Sequence, residues 1–76
     1  MKKPKLVEVT WVDSAMTPGW KRAGTVVEPS ECRTTGYLTY KNKEVLNIAM
    51  QVNDDGGFGE AMAIPIVCVR KIRKLR

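Results

Sequence analysis

The chain has 76 residues, with 13 Lys and Arg against 8 Asp and Glu and a formal net charge of +5. This length accommodates one small domain, in which folding buries only about 60% of the surface that the unfolded chain exposes. The sequence contains no histidine, which excludes imidazole bases, histidine-containing metal sites and the Ser/His/Asp and Cys/His catalytic arrangements.

The first predicted strand runs from Lys5 to Asp13. Val7, Val9 and Trp11 alternate with polar residues over this stretch, which is the period-2 pattern of a strand with one buried face. We therefore expect these three side chains to enter the core. Contact with a ligand is the alternative role for Trp11.

A long loop is expected after the first strand. The alternation is lost from Ser14 to Gly24, and Pro18-Gly19 is a turn signal within this stretch. Trp20 either anchors the loop by packing against the domain or is presented by the loop to a partner. The apolar pair Val26-Val27 is the candidate for a second, brief strand.

Two further strands are predicted in the middle of the chain. Thr34 to Tyr40 is rich in Thr and Tyr, residues that favour strands, and Gly36 indicates a bulge or a sharp bend. After a tight turn at residues 41–43, the stretch from Val45 to Val52 alternates between two sides. Leu46, Ile48, Met50 and Val52 fall on one side, and we expect this stretch to be a central strand.

The last third of the chain contains a hairpin and a final element. Asn53 to Gly59 has three glycines and two acids, so we expect a flexible turn with Phe58 at its tip, followed by a strand from Glu60 to Ile64. The apolar spacing after Pro65 suits either one face of a helix or a strand. The β-branched residues there favour a short helical turn and then a last strand.

Five short strands predict an all-β domain, and specifically a small closed or nearly closed five-stranded barrel. The ending Ile64-Pro65, Val69, Ile72 and Leu75 resembles that of SH3-like barrels, in which an Ile-Pro step precedes one helical turn and the last strand. The resemblance implies that the first and last strands are antiparallel neighbours. The acidic and aromatic signature with which SH3 domains bind proline-rich peptides is missing, so peptide recognition is not implied.

A looser resemblance covers most of the chain. The order of Val7 to Ser14, Gly36-Tyr37-Leu38, Ile64-Pro65 and Ile72 to Leu75 is similar to that in small proteins encoded by bacteriophages and prophages. Such proteins often act by binding a component of the host, so the resemblance implies a phage accessory protein in the host cytoplasm. It transfers no site residues.

Positive charge is concentrated at the two ends of the chain. Residues 6–69 hold all eight acids and five bases, a net charge of −3, whereas the ends hold eight bases. Neighbouring first and last strands would gather these bases into one surface that attracts polyanions. Solubility, or protection of an edge strand against aggregation, is their alternative role. The bases are Lys2, Lys3, Lys5, Arg70, Lys71, Arg73, Lys74 and Arg76.

A tryptophan beside two cations in the first loop is the best candidate for a recognition element, because nucleotides are bound by flat rings together with positive charge. Acidic protein surfaces suit this combination too. The rings of Tyr37 and Tyr40 are also placed to stack on a base or to anchor an interface. The residues that we predict to bind the ligand are Trp20, Lys21, Arg22, Arg33 and Phe58.

Neither a cofactor nor a metal is expected. Cys32 and Cys68 are far apart in sequence, so we expect two thiols in a reducing cytoplasm, with a disulfide as the alternative. Asp54-Asp55 lacks the alternating oxygen ligands of a calcium loop, and a plain turn is favoured. The longest apolar run, Ala61 to Val69, has about half of the ~20 residues needed to cross a bilayer and is broken by Pro65.

The sequence therefore predicts a non-enzymatic, homo-oligomeric binding protein. Its predicted ligand bears phosphate, as nucleic acid or nucleotide, and is engaged or sequestered to interfere with the host or its defences. A module that docks on a host protein and inhibits it is one alternative. A minor structural subunit of the phage particle is the other.

Overall fold

The computed structural model describes residues 3–76 of the protein. They form one antiparallel sheet with the order β4-β3-β2-β1-β5, and a 3-10 turn at Ile66–Cys68 precedes the last strand. The strands are β1 (Lys5–Asp13), β2 (Ser30–Lys41), β3 (Val45–Val52), β4 (Phe58–Pro65) and β5 (Val69–Lys74). The all-β prediction, the five strands and the helical turn before the last strand are confirmed.

Closure into a barrel is the part of the fold prediction that the sheet does not reproduce. Within residues 3–76, no ladder of hydrogen bonds joins the edge strands β4 and β5. The predicted brief strand at Val26-Val27 is wrong, because both residues lie in the loop 14–29. The β1–β2 ladder ends at Asp13 opposite Ser30, so the loop residues have no strand beside them.

Within the described residues, no helix is long and apolar enough to cross a membrane.

The core lies against the face of β1 that carries Val7 and Val9. Both side chains are buried, and they pack against Leu46 and Ile48 of β3 and Ile64 of β4. The sheet must therefore coil strongly, since β1 and β4 are separated by two strands in the sheet and yet share one core. The predicted alternation of β1 is confirmed.

Trp11 occupies the next inward position of β1. It is partly buried against the core, and its indole N–H donates a hydrogen bond to the Thr34 hydroxyl oxygen at 2.9 Å. An indole N–H that is removed from water needs such a partner, because an unpaired donor loses its hydrogen bond to water without replacement. The fold thus uses Trp11 for packing, as expected, rather than for ligand contact.

The apolar face of β3 continues beyond the core. The β2–β3 ladder begins at Tyr37 opposite Ala49, whereas β3 pairs with β4 as far as Val52 opposite Phe58. Met50 is therefore 72% exposed, although the sequence places it on the same side of β3 as the buried Leu46 and Ile48. Phe58 is the first residue of β4 and not the tip of the turn.

Gly36 has no room for a side chain between β2 and β3. A Cβ at this position would lie 2.6 Å from Ile48 Cγ2 and 2.7 Å from the carbonyl oxygen of Ala49. The second of these atoms belongs to the backbone, so a change of rotamer cannot relieve the overlap. Gly36 is also opposite Val7 of β1, so this close approach brings β3 over the core. The irregular pairing of β2 itself falls later, between Leu38 and Tyr40.

Replacing Gly36 by alanine is expected to lower the free energy of unfolding by about 2–3 kcal/mol, because overpacking against backbone cannot relax. Gly59→Ala is the matched control: a Cβ there would have its nearest neighbour at 3.7 Å, the side-chain nitrogen of Gln51. This control should stay within about 0.5 kcal/mol of the parent protein. Urea unfolding measures both variants, and equal midpoints would contradict the assigned packing.

Candidate functional site

The two ends of the chain are neighbours in the structure. β5 runs antiparallel to β1, with Lys74 opposite Val7. Beyond β5, the backbone N–H groups of Leu75 and Arg76 both donate to the carbonyl oxygen of Leu6, at 2.8 and 3.3 Å. The predicted antiparallel pairing of the first and last strands is confirmed.

A groove opens where the chain ends meet the turn between β3 and β4. Its volume is about 530 Å³. A smaller recess of about 100 Å³ adjoins it. Phe58 and Gly56 line only the recess, and the residues that line both cavities are Lys3, Pro4, Val52, Asn53 and Asp54. We call the larger cavity the chain-end groove; the lining residues used below are Lys3, Lys5, Tyr37, Asn53, Asp54 and Arg76.

The turn that walls the chain-end groove is held by the side chain of Asn53. Its Oδ1 accepts hydrogen bonds from the N–H groups of Asp55 at 3.0 Å and Gly57 at 2.8 Å. The backbone N–H of Asn53 also donates to the Gly57 carbonyl oxygen at 2.9 Å. Gly56 has a φ of 85°, a conformation that glycine adopts without strain. The sequence predicted a flexible turn, whereas these hydrogen bonds hold residues 53–57 in one conformation. The turn therefore gives the groove a preformed wall.

Three cations and one carboxylate line the chain-end groove. The cations are those of Lys3, Lys5 and Arg76, and the carboxylate is that of Asp54. None of the four takes part in an ion pair within residues 3–76, where the single pair joins Arg73 to Glu8 at 3.2 Å. The excess of positive charge attracts anionic groups. The lone carboxylate, when ionised, can only accept hydrogen bonds.

A second group of cations lies on the outer face of the sheet, which is the face opposite to Val7 and Val9. Residues directly opposite each other on neighbouring strands share a face. Thr10 of β1 is opposite both Arg33 of β2 and Lys71 of β5, and Glu8 is opposite Arg73. The sequence predicted one basic surface, and the fold divides it. The cations that line the groove are Lys3, Lys5 and Arg76, and those on the outer face are Arg33, Lys71 and Arg73. Lys74 shares the face of Val7. Arg70 is exposed beside the irregular β1–β5 pairing. Lys2 lies outside the described residues.

The predicted cluster Trp20-Lys21-Arg22 lies elsewhere. The loop 14–29 leaves the sheet after Asp13, at the end of β1 opposite to the chain ends, and the nine residues of β1 span about 27 Å. Trp20 is 100% exposed, so the loop presents this ring and does not pack it. The fold thus separates Trp20, Lys21 and Arg22 from the basic chain ends, whereas Phe58 lies beside the chain-end groove.

Metal binding and disulfide formation have little support in the described part of the chain. Within residues 3–76, no group of three or more Cys, Asp or Glu residues is placed to hold a metal ion. Cys32 and Cys68 are both free thiols, as the sequence predicted, and Cys68 packs against the core.

No protein-family model, curated protein or solved structure matches this chain.

Sequence reasoning missed the two polar residues that the β3–β4 turn contributes to the groove. It assigned Asp54 to a plain turn, and it gave Asn53 no role beyond the same turn. The three glycines after them indicate a turn correctly, but nothing in the local sequence indicates that the turn lies against the start of the chain. That contact depends on the coiling of the whole sheet.

The exposure of Trp20 leads to a prediction about stability. Trp20→Ala should change the free energy of unfolding by less than about 0.5 kcal/mol, because the ring has no packing to lose. Trp11→Ala, the comparison variant, should cost about 3 kcal/mol through lost packing and the lost bond to Thr34. Urea unfolding followed by far-ultraviolet circular dichroism is suitable, because it does not depend on tryptophan emission. A loss above 1 kcal/mol in the Trp20 variant would show that the loop packs against the domain.

Proposed function

We propose that this protein is a non-enzymatic binding protein that holds a phosphate-bearing ligand, a nucleic acid or a nucleotide, in the chain-end groove. The observation that carries the proposal is the meeting of Lys3, Lys5 and Arg76 around a cavity of about 530 Å³. Small-molecule sites have volumes of about 300–1,000 Å³, and clefts lined by cations concentrate anionic ligands. Tyr37 adds a ring to the same groove, and aromatic rings stack on bases.

The gathering of cations has an electrostatic cost that supports a binding role. Two exposed like charges repel by about 1 kcal/mol at 4 Å in water, and by less in salt. Solubility and protection of the edge strand β5 require cations on the surface, but they do not require them around a cavity. A phosphate in the groove replaces this repulsion by attraction. Ligand binding therefore accounts for the arrangement better than protection alone.

Architecture and assembly are part of the proposal. The position of β1 between β2 and β5, and the 3-10 turn before β5, support an SH3-like small barrel. The resemblance to phage proteins supports sequestration of a host ligand, or interference with a host defence, in the host cytoplasm. We propose a homo-oligomer because six apolar residues are buried among the described residues, and a core of this size leaves a chain of 76 residues marginally stable by itself.

A second candidate function is docking on a host protein through the loop 14–29. Trp20 and Met16 are 100% and 95% exposed, and large apolar side chains of this kind anchor protein interfaces. Lys21 and Arg22 suit an acidic partner. Capture of a host protein that survives nuclease and high salt, and that is lost in Trp20→Ala, would support this candidate.

The first function predicts a specific effect of two groove cations on binding. The double variant Lys5→Ala/Arg76→Ala should bind single-stranded RNA of about 20 nucleotides less tightly at low salt. If both cations contact phosphate, the slope of log affinity against log salt should fall by about 1.4, since each contact contributes about 0.7 for a single strand. Fluorescence anisotropy at several salt concentrations measures both the affinity and the slope.

The matched control is Lys21→Ala/Arg22→Ala, which removes the same charge from the loop 14–29. We expect this variant to change the slope by less than about 0.7. A larger effect of the loop variant would place the nucleic acid on the loop rather than in the groove. Undetectable binding of RNA, DNA and nucleotides by the parent protein at low salt would refute the proposed function.

A further inference from the structure

We propose that the chain-end groove is a site for a single guanine nucleotide, with the base in the recess beside Phe58 and the phosphate on Lys5 and Arg76. This inference rests on the proposed function and names the ligand class of the same site. It comes from three features of the groove: its limited extent, the position of Lys5 and Arg76 outside the recess that Phe58 lines, and the free polar groups of Asn53 and Asp54.

The extent of the site favours a small ligand. The cations of the groove are confined to one end of the sheet, whereas Arg33, Lys71 and Arg73 lie on the outer face. Arg73 is also engaged by Glu8 at 3.2 Å. A long strand of nucleic acid requires a continuous basic track with successive stacking positions. A volume of about 530 Å³ is instead that of a small-molecule pocket.

The two parts of the site match the two parts of a nucleotide. Phe58 lines only the recess, and with Pro4 and Val52, which line both cavities, it offers apolar contact to a flat base. Lys5 and Arg76 line only the larger cavity, whereas Lys3 lines both. Two of the three cations are thus placed away from Phe58, as the phosphate of a nucleotide lies to one side of its base.

The polar groups of the turn complement the edge of guanine. Asn53 Oδ1 is occupied by two backbone N–H groups, which orients the amide and leaves its NH₂ as a donor. The Asp54 carboxylate accepts no hydrogen bond within residues 3–76 and lines both cavities. Guanine offers two adjacent donors, N1–H and the N2 amino group, and the acceptor O6 beside them. Adenine lacks the paired donors, so a carboxylate at this place discriminates against it.

The hydrogen-bonded turn positions Asn53 and Asp54 before a ligand binds. Four hydrogen bonds between Asn53 and residues 55–57 fix the backbone that carries Asp54. A ligand then avoids the entropic cost of ordering the turn. Asp55 is adjacent in sequence but does not line either cavity, and it provides a control with the same charge.

The test is a titration of the ¹⁵N-labelled full chain with GMP, AMP and inorganic phosphate, followed by amide chemical shifts. GMP should shift the amides of residues 53–59 and Tyr37 and leave those of the loop 14–29 unchanged. We expect AMP to bind about tenfold more weakly, the difference that one bidentate contact makes, and phosphate to bind more weakly still. Equal affinities for GMP and AMP would overturn the guanine assignment.

Two isosteric variants separate recognition of the base from general electrostatics. Removal of a negative charge near a phosphate should strengthen binding, whereas removal of a base-reading carboxylate should weaken it. We expect Asp54→Asn to weaken GMP binding about tenfold and to remove the preference over AMP, and Asp55→Asn to leave both unchanged. Stronger binding of GMP by Asp54→Asn would overturn the proposal. The amide spectra also show whether each variant is folded.

Failure of this inference is distinguishable from failure of the proposed function. If single-stranded RNA binds in a manner that depends on Lys5 and Arg76, but millimolar GMP leaves the groove amides unshifted, the site is one for nucleic acid and the guanine assignment is wrong. If neither ligand binds, both proposals are wrong.

Discussion

The pairing of β1 with β5 is the constraint on which the rest of the structure depends. It joins residues near the two ends of the chain, and the N–H groups of Leu75 and Arg76 extend it to the carbonyl of Leu6. A ladder of such high sequence separation has a large cost in chain entropy. The buried contacts of Val7 and Val9 must offset this cost. The gathering of the terminal cations is then a consequence of the fold rather than a separate feature.

The coiling of the sheet provides the second half of the site. Because Gly36 lacks a side chain, β3 approaches β2 closely, with Ile48 and Ala49 in the space that a Cβ would take. The β3–β4 hairpin then lies over the core, and its turn reaches the start of the chain. Neither the basic ends nor the turn makes a groove alone. The site exists because two non-local contacts, β1 with β5 and the turn with Lys3, occur at the same end of the sheet.

The local pattern of the sequence predicted the strands well and the site only in part. Alternation identified β1 and the buried positions Val7 and Val9, since a period of two directly reflects a face in contact with the core. Alternation does not reveal that Met50 is exposed, because its exposure depends on where the β2–β3 ladder starts, which only the partner strand decides. The aromatic ring and cations of the loop looked like the best binding element. These loop residues are separated from the chain ends because β1 runs from one end of the sheet to the other. A local sequence pattern does not indicate this separation.

The single carboxylate in the groove is the feature that best distinguishes a specific site from a general attraction for anions. A surface that had only to attract polyanions would gain from having Asp54 replaced by any neutral residue, because each acid lowers the local positive potential. The turn instead holds this acid beside three cations, while Asp55, one residue later, lies outside both cavities. Attraction of an anionic ligand requires positive charge, whereas discrimination between such ligands can use a negative charge at the same place. The chain-end groove has both, because the Asp54 carboxylate lines the same cavity as the cations of Lys3, Lys5 and Arg76.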